Sequence, residues 1–517
     1  MRMSGILKKT RALVAALALL WLSATAATAA PAKNIILFIG DGMHLQHEVA
    51  ASNYLFGADF SLAWHYFPYK NYVTTWDEST YNLYAVMQGK PTFDPDNFNP
   101  IYGYNLKKAG TEPSPLSEDT EERLRYLFPD YSRKTPPLLR KGPATDSASA
   151  GTALSTGVKT ERSRIAWDFE GSENGKLKSI SEIMRETNGA SIGVVSTVPF
   201  SHATPASFSS HNKGRNNFYT GFKNYSGLGI ADEILTVTRP DVVIGGGHPS
   251  LNNPKWETTK GYISKGLYES AGSSSEYVFV ERRAGEDGAA LLYDAAATAA
   301  AERKKLFGLF GGADGSFEHP IPRDEPGAPA IDRATHENPL LRDVVLSALE
   351  ILSSNENGFF LLAEQGDIDW ANHANNFSWM IGAMWDLNEA VRAAVDFIDR
   401  PDNALDWENT LLIVTADHAN SLMRLNPEKK LAPGDLPEQK CVAALCEYPG
   451  GEVFYSTSGH TNELVSVYAK GAGVEIFTKH EGSWYPGTRL IDNTHIFEVM
   501  NEAATGKAES SPAPAAK

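Results

Sequence analysis

Asp369 and His373 stand four residues apart in "EQGDIDWANH". On a helix such residues share a face, so a carboxylate and an imidazole can hold one metal ion there. Asp417-His418 follows the apolar run "LLIVTA", and Asp41 follows "IILFIG" in a comparable place. Neighbours on a strand point to opposite faces, but just past its end both can turn toward one site. His460 in "STSGHTNE" precedes another apolar run, Glu364 ends a third, and Thr204 follows a fourth. Carboxylates with imidazoles suit zinc, and carboxylates with a hydroxyl suit magnesium. Each residue also has a plainer role open to it: a turn at Asp41, a cap at Asp417 or Thr204, an ion pair at Glu364, a satisfied loop histidine at His460. Recurrence at equivalent strand ends is what argues for chemistry.

Ser147 adds a candidate nucleophile. It lies in "TDSASAGTALSTGVKT", behind an aspartate and ahead of a helix-like run of small residues. No Gly-x-Ser-x-Gly elbow frames it, so something other than that arrangement must take its proton.

The elements that would carry these residues are visible as unalternating apolar runs at 33–43, 190–198, 359–369 and 410–420. Runs of this kind are strands buried on both faces. Helix-compatible segments separate them: Ser179–Glu186, Leu291–Leu306, Leu340–Ser353 and Met380–Asp399. Strands alternating with helices imply an α/β protein, a mostly parallel central sheet sandwiched by helices. Ligands in such folds collect beyond the carboxyl ends of the strands. The stretch 54–139 is rich in Tyr, Asn, Asp and Pro and weakly periodic, and reads as a long insertion after the first strand. Residues 505–517 read as a disordered tail.

The 517 residues are 42% hydrophobic and carry a formal charge of −16. Arg2, Lys8, Lys9 and Arg11 lead into "ALVAALALLWL" and then Ala27-Thr28-Ala29, the form of a secretory signal over residues 1–29. The rest holds 43 basic against 63 acidic residues, which argues against specific nucleic-acid binding. The leader is short for a membrane span and no later stretch reaches that length, so no stable membrane anchor is expected. Cys441 and Cys446 are the two cysteines, and export favours a local disulfide between them over a zinc pair.

In order and spacing, "IGDGM", "TDSASAGTALSTGVKT", "HATPASFSSHNKGR", "DVVIGGG", "EQGDIDWANH", "TADH" and "SGHT" resemble the alkaline phosphatase family from Lys33 to about Ala504, with the insertion outside the match. The resemblance implies a catalytic domain over 30–504, two zinc ions and one magnesium ion per subunit, and a periplasmic or secreted homodimer acting on small phosphate monoesters. Asp369, His373 and His460 would hold the first zinc; Asp41, Asp417 and His418 the second. Asp41 would bridge to magnesium with Thr204 and Glu364. Ser147 would be the nucleophile, its proton made labile by the second zinc, so no histidine base is required. Arg215 would clamp the phosphate, oriented by Asp146.

Two positions vary within the family. His202 stands where some members carry Asp, and Trp370 where some carry Lys. A phosphodiesterase or sulfatase of the same superfamily is the nearest rival, but Thr204, Glu364 and Arg215 together favour monoesters. A metal-dependent phosphosugar mutase fits an export signal poorly. A non-catalytic periplasmic metal- or phosphate-binding protein would have no use for Ser147.

Overall fold

The computed structural model describes residues 31–112, 126–127, 144–249, 261–312, 314–401, 403–442 and 445–507. The signal segment and most of the expected tail lie outside the described residues. In chain order the main strands are β1 (Asn34–Gly40), β2 (Tyr69–Thr74), β3 (Ser191–Pro199), β4 (Val242–Gly246), β5 (Tyr277–Glu281), β6 (Lys305–Leu309), β7 (Phe359–Gln365), β8 (Thr410–Thr415), β9 (Val465–Gly471) and β10 (Ile491–Asp492). The helices that matter for the site are α1 (Leu45–Phe56), α2 (Ser147–Thr156), α3 (Ile180–Asn188), α4 (Ala203–Ser207), α5 (Gly288–Glu302), α6 (Leu341–Leu352), α7 (Asp367–His373), α8 (Phe377–Ile398) and α9 (Asn493–Thr505).

The ten strands form one sheet in the order β10-β2-β9-β8-β1-β7-β3-β4-β6-β5. All neighbours pair in parallel except at β9, which runs against both β8 and β2. The apolar runs read from the sequence are its centre: β1, β7 and β8 are buried along their whole length. One group of helices (α1, α5, α6, α8) packs together on the sheet, and a second group (α2, α3, α4, α9) packs together on it elsewhere. Strands touched by both groups have no wet face, which is why they lack polar alternation.

Register aligns the strand ends. Ile39 of β1 pairs with Glu364 of β7 and with Thr415 of β8, and Glu364 pairs with Ser196 of β3. Asp41, Glu364 and Asp417 therefore emerge at one level. Because β9 is reversed, its amino end lies at that same edge, and His460 just upstream is delivered there.

Two expectations change. The segment expected to be helical to Leu306 leaves the helix at Glu302: Arg303 takes a left-handed conformation (φ 53°), and Lys305 starts β6. The stretch 54–139 is more than an addition to the surface. Its first residues finish α1, and Tyr69–Thr74 is β2, paired with β9 inside the main sheet. Several of its tyrosines build a second core, where Trp76, Tyr81, Tyr84, Phe93 and Phe98 pack with Trp484 and Tyr485 from the far end of the chain. Aromatic packing of this kind needs no regular spacing, so periodicity did not show it.

Candidate functional site

Asp41 follows β1 directly, in Gly-Asp-Gly. Gly42 has a φ of 71°, and a Cβ there would meet Asp369 at 2.9 Å. Only glycine lets the β1 turn and the α7 carboxylate approach so closely. The Gly42 N–H donates to Asp417 Oδ1 at 3.1 Å, tying the ends of β1 and β8 together.

Asp369, His373 and His460 form one group. The His373 Nε2 lies 3.2 Å from Asp369 Oδ2, and His460 Nε2 lies 3.4 Å from Asp369 Oδ1. Each imidazole has its Nδ1 against a backbone carbonyl, His373 on Ser458 at 2.7 Å and His460 on Thr145 at 2.8 Å. With both Nδ1–H groups donating, both Nε2 lone pairs face inward. That is the tautomer and orientation of a metal-ligating pair.

Asp41, Asp417 and His418 form the second group. His418 Nε2 lies 3.2 Å from Asp417 Oδ2 and 3.5 Å from Asp41 Oδ1, with all three side chains buried. The groups adjoin: the rings of His418 and His460 stack at 3.7 Å. Glu364 sits beside them, its Oε2 accepting from Ser196 Oγ at 2.5 Å, and Thr204 lies against its carboxylate.

These residues fit cations. Asp41 Oδ1 and Asp417 Oδ2 are buried with no hydrogen-bond partner among the described residues. Buried oxygens are not left bare without cost. Burial, then Asp417, Asp369 and Glu364, push the Asp41 carboxyl far above its usual range. Burial and the neighbouring carboxylates raise Glu364 to about 7 and Asp417 to about 6. So many carboxylates cannot all ionise together unless positive charge joins them.

Ser147 opens α2, and its Oγ lies 3.2 Å from His418 Nε2. A run of small residues makes α2 thin enough to seat against α4: a Cβ on Gly151 would strike Ser207 Oγ at 2.8 Å. Asp146 caps the helix, Oδ1 accepting from Ser149 N–H and Ser163 N–H at 3.1 Å each. Its Oδ2 accepts from Arg215 Nη1 at 2.8 Å. Burial opposes ionisation of Asp146, but the Arg215 charge and these hydrogen bonds hold it well below the usual carboxylate range. His202 and Trp370 meet edge to face, with ring centres 5.8 Å apart. Burial and the Arg215 charge push His202 down to about 3, so its imidazole is neutral.

The structure thus brings every candidate from the sequence to one edge of the sheet. It also adds Asn420, whose Nδ2 donates to Asp369 Oδ1 at 2.6 Å. Asn420 pairs with His460 across a two-residue ladder, so it braces two residues of one group. Its position two residues past His418 was the signal available. A third cluster, His480, His495 and Glu498, lies away from these residues in the chain. There His495 Nδ1 accepts from the Asp492 N–H at 3.0 Å, which leaves the proton on Nε2, and His480 pairs with Glu498 at 3.1 Å. His495 Nδ1 is thereby spent on a helix cap, while Nε2 of His480 is buried with no hydrogen-bond partner among the described residues.

A family model described as alkaline phosphatase matches residues 122–437. Alkaline phosphatase of Escherichia fergusonii is 32% identical over 426 residues, covering 78% of this chain and 73% of that protein. Alkaline phosphatase 4 of Bacillus subtilis is 32% identical over 274 residues, covering 53% of this chain and 49% of its own length. The chain thus spans about half the length of that Bacillus relative. The solved alkaline phosphatase of Thermus thermophilus shares the fold, with a TM-score of 0.56 at 20% identity over 93% of this chain and 92% of that one.

Proposed function

The chain belongs to the alkaline phosphatase family, and we propose that it hydrolyses phosphate monoesters through a phosphoserine on Ser147, releasing inorganic phosphate at alkaline pH. The observation that carries this reading is the Ser147 hydroxyl 3.2 Å from His418 Nε2, at the point where Asp41 and Asp417 also converge.

We assign one zinc to Asp369, His373 and His460, a second to Asp41, Asp417 and His418, and magnesium to Asp41, Thr204 and Glu364. When bound, such ions lower the pKa of an adjacent hydroxyl or water and offset charge on the attacking and leaving oxygens. Ser147 Oγ, its proton given up to solvent, attacks phosphorus in line as the ester P–O bond breaks; the ester oxygen leaves with the bonding pair and takes a proton from water, and a second water later cleaves the phosphoserine, releasing phosphate and restoring the serine hydroxyl. The amino end of α2 favours the anionic group. Arg215, held by Asp146, presents its planar fork to two phosphoryl oxygens.

A Ser-His-Asp triad is the other way to read the Ser147–His418 contact. A triad needs a carboxylate on the far imidazole nitrogen. His418 Nδ1 is buried with no partner among the described residues, and the carboxylates crowd Nε2 instead. That arrangement favours a ligand over a general base. Export through the basic, apolar leader and assembly as a homodimer complete the proposal. No described helix is long and apolar enough to cross a membrane.

The test is a quench at acidic pH after incubation with a labelled monoester. Label is expected on Ser147 and absent from Ser147→Ala, which should still bind its metals. Label on another serine refutes the assignment.

A further inference from the structure

We propose that the disulfide-closed hairpin at Cys441 and Cys446 is a positioning device for His373, holding that imidazole where a metal at the Asp369–His373–His460 group requires it. The inference rests on the metal reading of that group. His373 is the least covered of the three, with its side chain 43% exposed against 17% for His460 and 7% for Asp369. It is also the last residue of α7, where a helix holds its side chains least firmly.

The chain passes from α7 into α8 within 374–376, with Asn375 at φ 50°, a left-handed conformation that asparagine adopts readily after a helix. The contacts that hold this short connection include the hairpin. Cys446 N–H donates to the Ala374 carbonyl at 3.0 Å. The Tyr448 hydroxyl accepts from Phe377 N–H at 2.7 Å. It lies 2.6 Å from the Asn375 carbonyl and 2.8 Å from Gln439 Oε1, its one proton serving one of them at a time. Gln439 Nε2 donates to Asn376 Oδ1 at 3.1 Å, the oxygen that caps α8 through Trp379 N–H. The residues flanking both cysteines therefore grip the residues that follow His373.

The hairpin has little to hold itself together. Lys440–Val442 pairs with Leu445–Glu447 over three positions, Cys441 opposite Cys446, and of these six residues only Cys446 is buried. A lone ribbon of that size is marginal in water. The disulfide joins its two strands. Closing so short a loop restrains little of the unfolded chain, so the bond acts locally, by keeping the Gln439 and Tyr448 flanks together. A purely decorative hairpin would instead leave metal binding untouched.

Competition with a chromophoric chelator measures zinc affinity on metal-stripped full-length protein. The proteins compared are the wild type, Cys441→Ser with Cys446→Ser, and Tyr448→Phe. The expected result in both variants is that one zinc equivalent binds roughly tenfold more weakly, the scale of losing an outer-shell support. The other equivalent and the melting temperature of the metal-free protein should hold. Unchanged affinities in the double variant overturn the proposal. So does equal weakening of both equivalents, or a metal-free melting temperature that falls with them, since either marks a general contribution to the fold. If the double variant does not fold, Tyr448→Phe decides, and unchanged zinc affinity there overturns the proposal. A wild type that binds no zinc removes the metal reading itself and this inference with it. A wild type that binds zinc while both variants match it removes only the role of the hairpin.

Discussion

His373 and His460 point their Nε2 atoms at each other across 3.1 Å, while each ring donates its other nitrogen's proton to a backbone carbonyl. Two lone pairs at that distance repel unless a cation or a proton lies between them.

Zinc should therefore stabilise the folded protein as well as enable turnover. Saturation of a site at a hundred times its Kd adds about 2.7 kcal/mol to the unfolding free energy. Denaturant melts of stripped and zinc-loaded protein measure this, and chelation should abolish activity that zinc with magnesium restores. A midpoint indifferent to zinc would count against both groups as metal seats.

Arg215 and Asp146 form a charged pair at 2.8 Å, and Asp146 immediately precedes Ser147. A monoester dianion offers the guanidinium fork more charge than a diester does, so Arg215→Ala should harm monoester hydrolysis more. Asp146→Asn keeps the shape of the cap but removes the charge that holds the arginine. Its loss in kcat/KM should be about 1.5–3 kcal/mol, the scale of a hydrogen bond to a charged group. Steady-state rates on a matched monoester and diester decide the first point; equal losses would show that the arginine does not select charge.

The His202–Trp370 pair supplies no cation: an indole carries no charge, and burial with the Arg215 charge keeps His202 neutral. Trp370→Lys with His202→Asp should supply an ammonium and a carboxylate to orient it. Inhibition by inorganic phosphate is expected to tighten by roughly 1–2 kcal/mol, and kcat to fall where product release limits turnover. The measurement is phosphate inhibition at fixed pH with saturating zinc and magnesium. Unchanged or weaker inhibition would make Trp370 a packing residue at the rim.

Stability should fall on the alkaline side through His211. This ring lies on the segment that leads to Arg215, with Nδ1 3.0 Å from Glu233 and Nε2 3.2 Å from Glu182. Burial works against its charge, but the two glutamates outweigh burial and raise it from 6.5 to about 9. A folded pKa above the unfolded one means the contribution is complete below about 6.5 and lost as pH rises through 9. His211→Gln should cost on the order of 2 kcal/mol at pH 6 and much less at pH 10. Paired denaturant melts across that range would show the two proteins converging; a constant gap would mean that His211 contributes no charge.

Some of this was legible because local pattern reports local physics. Strands covered on both faces must be apolar throughout, so β1, β3, β7 and β8 announced themselves as uninterrupted runs. The four-residue spacing of Asp369 and His373 lies on a helix, α7, as a shared face requires. Strand β2 escaped notice because it is partly exposed in its first half and sits between β9 and β10 near the edge of the sheet, so neither a clean run nor a clean alternation marks it.

By itself the sequence determined the residue types, the strands that carry them and the ends at which they emerge, because burial and helical spacing are written over a few neighbouring positions. Tertiary structure alone decided which ends meet. Placing β1 between β7 and β8 brings Asp41 beside Glu364 and Asp417, and reversing β9 turns His460 toward His373. Asn420 reaches Asp369 across 51 positions of sequence, and Cys446 reaches the turn behind His373 across more. Strand order and register set those distances, and they follow from the packing of the whole sheet rather than from any short stretch of the chain.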